Sequence, residues 1–282
     1  MGYVPGGSSS VVWNGVGLSI DRGVVAMPYA DNKGIQIHYR TEGEGPPLVL
    51  HHWSLATLES WYDYGYVSAL ENDYRLILLD ARGHGASDKP HEPEAYELTK
   101  RVEDIVAVLD ELGIATAHFF GYSMGGWIGF GSARYASGRF QSLIIGGSAP
   151  YARKMDDMRQ LVRYGIENGP EAFVARWERE NGALSSERKE RMLAYDYRAL
   201  LAAAEDRESL EAVLPTMTMP CLLYAGEMDE YRVITGYAKQ IANATFFTLP
   251  GLDHVGAIRR SDDVLPHVKR FLAEVDQQTG GA

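Results

Sequence analysis

Cysteine occurs once in the 282 residues, at Cys221, so no disulfide can form within the chain. A reducing compartment suits such a chain, and a cytoplasmic location is expected. Basic residues are in deficit, with 27 Lys and Arg against 38 Asp and Glu and a formal net charge of -11. That balance repels phosphate backbones and anionic lipid headgroups, which counts against nucleic-acid and membrane partners. A basic, apolar leader is missing, since the first basic residue is Arg22, so no secretory signal is expected. One long uncharged stretch exists, residues 113–133, but six glycines and His118 interrupt it and make it a poor membrane span. Metal-ligand spacings of His, Asp and Glu are lacking, and no G-x-G-x-x-G follows a strand-like run. Neither a metal nor a cofactor is therefore expected.

What remains is an ordinary globular balance, 45% hydrophobic and 23% charged. Residues 1–30 begin rich in Gly and Ser and read as a loose arm or an edge strand. Beyond them, short apolar runs alternate with helical patterns. Ile35 to Tyr39, Leu48 to Leu50, Leu76 to Leu79, His118 to Phe120 and Leu143 to Ile145 read as strands. Val102, Ile105, Val106, Leu109 and Leu112 follow helical spacing, so an amphipathic helix is predicted over 99–112, closed by Gly113. The alternation stops over 151–215, which is charged and helical in composition. It resumes with strands at Cys221 to Ala225 and Thr245 to Leu249 and a last helix from Ser261 to about Val275. The expected fold is α/β: a mostly parallel, twisted central sheet with helices on both faces. Its core spans 31–150 and 216–282, and 151–215 forms a helical lid.

Chemistry enters at Gly121-Tyr122-Ser123-Met124-Gly125, a G-x-S-x-G string between a strand and a helix. In so tight a turn the serine is strained and its hydroxyl stands exposed at a helix N-terminus, where developing negative charge is favoured. A serine nucleophile needs a base, and the base needs an orienting acid. Of the histidines beyond the insertion, His267 sits mid-helix, whereas His254 follows the final strand. Open parallel sheets hold their sites at that carboxyl edge. Asp229 follows the strand at Cys221 in the same way, with Glu227, Glu230 and Asp253 as rivals for the acid. The catalytic set is thus Ser123, Asp229 and His254.

In that order and setting, these residues resemble the alpha/beta-hydrolase superfamily, serine-nucleophile branch. The run Asp80-Ala81-Arg82-Gly83-His84-Gly85 resembles that family's loop after the strand preceding the nucleophile unit. The resemblance implies an oxyanion hole made by the backbone amides of Met124 and Trp53. It also implies a glycine where this chain has His52, so the His52 side chain is a candidate for substrate contact. Tyr122, Trp127 and Tyr151 complete an expected aromatic substrate wall. His84, His118 and Cys221 are read as structural. The expected activity is cleavage of a small to medium neutral ester or related acyl compound, a small-molecule partner. Carbon–carbon bond hydrolysis, lactone hydrolysis, perhydrolysis and a ligand receptor on the same fold are the alternatives. Oligomeric state is open.

Overall fold

The computed structural model describes residues 28–279. Eight strands form one sheet: β1 (Tyr29–Asn32), β2 (Ile35–Glu42), β3 (Pro47–His51), β4 (Arg75–Leu79), β5 (Ala117–Tyr122), β6 (Phe140–Gly146), β7 (Cys221–Gly226) and β8 (Ala244–Leu249). Their order is β1-β2-β4-β3-β5-β6-β7-β8. The first two strands pair antiparallel, as do β2 and β4, and every pairing from β4 to β8 is parallel. The predicted arm falls mostly outside the described residues; its last two, Tyr29 and Ala30, open the edge strand β1.

The central strands are mostly apolar because both faces are covered. Side chains alternate between the faces. Val49, Phe119, Leu143, Ile145 and Leu223 point to one side. There they meet α3 (Leu98–Glu111), α4 (Met124–Tyr135) and α9 (Ile234–Ala238). Leu50, Phe120, Ile144, Leu222 and Tyr224 point to the other. They meet α1 (Glu59–Asp63), α2 (Tyr66–Leu70), α10 (His254–Arg259) and α11 (Ser261–Thr279). The structural readings of His118 and Cys221 hold here: His118 is fully buried between Ser142 Oγ at 2.8 Å and Asp276 Oδ1 at 3.0 Å, and Cys221 lies buried in β7.

Between β6 and β7 the chain leaves the sheet for four helices, α5 (Asp156–Asn168), α6 (Pro170–Asn181), α7 (Ser186–Leu193) and α8 (Tyr197–Ala203). They enclose a small core of their own around Val162, Phe173, Met192, Tyr197 and Leu200, with Leu55 reaching in from the sheet domain. Arg153 and Arg207 exchange backbone hydrogen bonds of 3.0 and 2.9 Å where the chain enters and leaves this excursion. Leu210 N–H donates to the Pro150 carbonyl just outside them. Among the described residues no helix is long and apolar enough to cross a membrane.

Candidate active site

β5 runs straight into α4 with Ser123 as the hinge between them. Ser123 has φ 54° and ψ -106°, a conformation that L side chains rarely adopt and that costs about 1–3 kcal/mol. Its amide donates to Gly146 O on β6 at 2.8 Å, and its carbonyl receives the first helical bond from Trp127 N–H at 2.9 Å. The turn therefore stays fixed while the hydroxyl faces outward. Gly125 explains how the loop after β3 reaches it. A Cβ there would stand 2.2 Å from His51 O and 2.9 Å from His52 O, so only glycine lets the two backbones touch.

The histidine and the acid come from the next two crossovers. Met228 N–H donates to Leu252 O and Glu227 N–H to Leu249 O, both at 2.9 Å, so the loops after β7 and β8 are stitched together. Gly226 permits it, since a Cβ there would lie 2.1 Å from Leu252 O. The result is a continuous chain of polar atoms. Asp229 Oδ2 lies 2.8 Å from His254 Nδ1, and His254 Nε2 lies 3.1 Å from Ser123 Oγ. Asp229 is fully buried as a side chain, and its other oxygen accepts from Tyr231 N–H at 3.1 Å. The rival residues are engaged elsewhere. Asp253 caps α10 through Gly256 N–H, Glu227 accepts from Gly251 N–H, and Glu230 pairs with Arg153. His267 stacks on Phe247 at 4.0 Å, on the outside of the sheet edge.

The amides of Trp53 and Met124 have no acceptor among the described residues, and the contact at Gly125 sets their loops side by side. The expectation that the His52 ring enters the pocket is corrected. His52 is fully buried, and its Nε2 lies 3.0 Å from the Ala81 amide nitrogen. An amide can only donate, so Nε2 accepts and the proton sits on Nδ1, which donates to Trp53 O at 2.8 Å. Burial lowers the imidazole below its usual range, against the opposing pull of Asp80, in keeping with a neutral ring. His52 thus bridges the ends of β3 and β4 and pins the Trp53 peptide from behind. Asp80 anchors the same region, accepting from Leu58 and Ala86 amides and pairing with His38 Nδ1 at 2.7 Å.

Ser123 and His254 open into a cavity of about 310 Å³ between the sheet edge and the four-helix excursion. Trp53, Tyr64, Tyr122 and Trp177 give it an aromatic wall, with Met155, Met158, Leu161, Val255 and Ile258. Trp53 stacks on Tyr64 and meets Tyr122 edge-on. Tyr122 lines the cavity as expected, but its hydroxyl is committed to the His254 carbonyl at 2.6 Å. Two expected wall residues are elsewhere. Trp127 lies one layer back, beneath the Arg207 guanidinium at 5.2 Å, and Tyr151 packs edge-on against Tyr237. Trp127 instead belongs to the core on the α3 and α4 side of the sheet. Arg188 and Arg207 line the cavity too and were not foreseen, because isolated arginines in a charged helical segment carry no local signal.

Residues 46–254 match the family model for the alpha/beta hydrolase fold. A putative 2-succinyl-6-hydroxy-2,4-cyclohexadiene-1-carboxylate synthase of Bacillus subtilis (strain 168) is 27% identical over 223 residues, which span 69% of this chain and 79% of that protein. The 3-oxoadipate enol-lactonase 1 of Acinetobacter baylyi is 28% identical over 257 residues, 82% of this chain and 91% of the relative. Among solved structures, the enol-lactonase from Burkholderia xenovorans LB400 superposes with a TM-score of 0.76 at 25% identity, over 87% of this chain and 100% of that one. Sheet order, the strand-to-helix turn at Ser123 and the family match agree: the chain belongs to the alpha/beta hydrolase fold family and is a hydrolase.

Proposed function

We propose that the protein hydrolyses the ester or lactone bond of a small acyl compound through Ser123, His254 and Asp229. The observation behind this reading is the unbroken hydrogen-bonded chain from Asp229 to Ser123 Oγ on the floor of the cavity. Ser123 Oγ attacks the carbonyl carbon and passes its proton to His254 Nε2. Asp229 holds the ring in the tautomer that leaves Nε2 free to accept, and stabilises the imidazolium that forms. The amides of Trp53 and Met124 receive the negative oxygen. His254 then protonates the departing oxygen as its bond to carbon breaks. In a lactone that oxygen stays tethered to the acyl group. Water then attacks the acyl carbon as it gives a proton to His254, and His254 passes that proton to Ser123 Oγ as the acyl–Oγ bond breaks and the acid leaves. The lactone option draws support from the relative named an enol-lactonase, whose length is almost fully matched.

A matched panel tests this: an ester, a lactone of the same acyl group, and a ring-fission diketone, with fluorophosphonate labelling of Ser123 in parallel. The expected result is turnover of the ester or lactone at least tenfold above the diketone in kcat/KM. Preference for the diketone would reassign the bond, and ligand binding without any turnover would make the protein a receptor.

His52 gives a second prediction from the same mechanism. His52→Gly removes the bridge behind the Trp53 peptide and strands the Ala81 amide. Turnover should fall about 10- to 100-fold, less than the loss of an oxyanion donor itself, and by a similar factor for every ester. Probe labelling should slow with it, and stability should drop by about 1–3 kcal/mol. A change confined to esters that differ near the carbonyl, with labelling at full rate, would instead return the ring to the pocket.

A further inference from the structure

Five cations line the Ser123 cavity: Arg153, Lys154, Arg176, Arg188 and Arg207. Carboxylates answer three of them. Arg153 lies 2.7 Å from Glu230, Lys154 2.6 Å from Asp206, and Arg176 2.9 Å from Glu180. Arg188 and Arg207 have no carboxylate in ion-pair contact among the described residues, although both are more than nine-tenths buried. Arg188 donates to the Tyr64 hydroxyl and lies over that ring at 5.6 Å. The Arg207 side chain makes no hydrogen bond among the described residues; its guanidinium rests on Trp127 and faces the cavity. Burial pushes it down to about 9, Arg153 and Arg101 push the same way, and Glu230 opposes them. The chain as a whole is acidic at -11, so this local excess of positive charge is not a reflection of overall composition.

We infer that the acyl compound hydrolysed at Ser123 carries a free carboxylate, which Arg207 receives, with Arg188 as a second cation on the same wall. The inference rests on the ester or lactone reading above. A guanidinium presents parallel N–H donors that match the two oxygens of a carboxylate, and the pairing gains strength where water is excluded. Trp127 holds the Arg207 plane from below, so its fork is oriented before the ligand arrives. A cavity of about 310 Å³ suits a compact acid of this kind. The neutral substrate expected from sequence thus becomes a neutral scissile bond on an anionic molecule.

Monoethyl adipate and diethyl adipate separate the two descriptions, since they share the acyl chain and leaving group. The wild-type enzyme should favour the monoethyl acid by about 10- to 100-fold in kcat/KM. Arg207→Met should collapse that ratio, and Arg207→Lys should restore part of it. Replacing an unpaired buried cation by an apolar side chain of similar length should not unfold the protein. A binding measurement independent of turnover accompanies the rates: glutarate should raise the melting temperature of the Ser123→Ala variant, and Arg207→Met in that background should remove the rise. Equal or faster turnover of the diethyl ester, or no thermal response to glutarate, overturns the anion site. Stabilisation by inorganic phosphate stronger than by glutarate overturns its assignment to a carboxylate. Glutarate stabilisation that depends on Arg207, with neither these esters nor the ester and lactone of the matched panel turned over, retains the anion site and removes the hydrolytic reading.

Discussion

Ser123→Ala should lower turnover by about 10³-fold or more and leave the melting temperature within a degree or two of wild type. The reason lies in how little the hydroxyl does for the fold. Its Oγ meets His254 Nε2 at 3.1 Å, while the turn itself is held by backbone bonds to Gly146 and Trp127. The backbone strain at φ 54° is the same for serine and alanine, so the exchange adds none. A fluorophosphonate probe should label the wild type once and the variant not at all. An active variant, or labelling of another residue, would remove Ser123 from the mechanism.

Asp229→Asn should be nearly as damaging, with kcat down by about 10³- to 10⁴-fold and KM little changed. Both carboxylate oxygens are in use, one by His254 Nδ1 and one by Tyr231 N–H. An amide has a single acceptor. If the asparagine oxygen keeps the Tyr231 amide, its NH2 group faces Nδ1, which must then accept. The ring proton moves to Nε2, and the nitrogen beside Ser123 can no longer take a proton. The substitution is nearly isosteric and replaces a fully buried carboxylate, so folding should survive, as circular dichroism would show. A loss confined to KM would mean that Asp229 acts on substrate rather than on the histidine.

The legible parts of this molecule are those whose cause is local or periodic. All-apolar runs such as Leu143 to Ile145 announce strands covered on both faces, and the spacing of Val102, Ile105 and Leu109 announces the helix that covers one of them. The Ser123 turn is legible from its string of residues, and Gly121 has a local cause, since a Cβ there would stand 2.3 Å from Gly125 O, although Gly125 itself answers to the distant His51 carbonyl. Asp229 and His254 follow from chain order at successive strand ends. The helices Glu59–Asp63 and Tyr66–Leu70 escape notice because five residues make little more than one turn, too short for a period to emerge. His52 is illegible for a different reason. Its acceptor nitrogen meets Ala81, 29 positions away, and that meeting exists only once β3 and β4 pair in their final register. Arg207 is the extreme case: what distinguishes it is a partner that the fold withholds, and no neighbouring residue reports that.

The paired backbone bonds between Arg153 and Arg207 bear on how this enzyme can change over evolutionary time. To the sheet, the crossover from β6 to β7 is a short connection that passes through this one clasp, and residues 154–206 hang from it as a cassette. Loop closure rises only logarithmically with length, so the cassette can lengthen, shorten or be exchanged at small cost to the core. The guanidinium facing the cavity belongs to the clasp itself. New helices would redraw the cavity's far wall, while the Arg207 charge on its wall and Ser123 at its floor would remain in place.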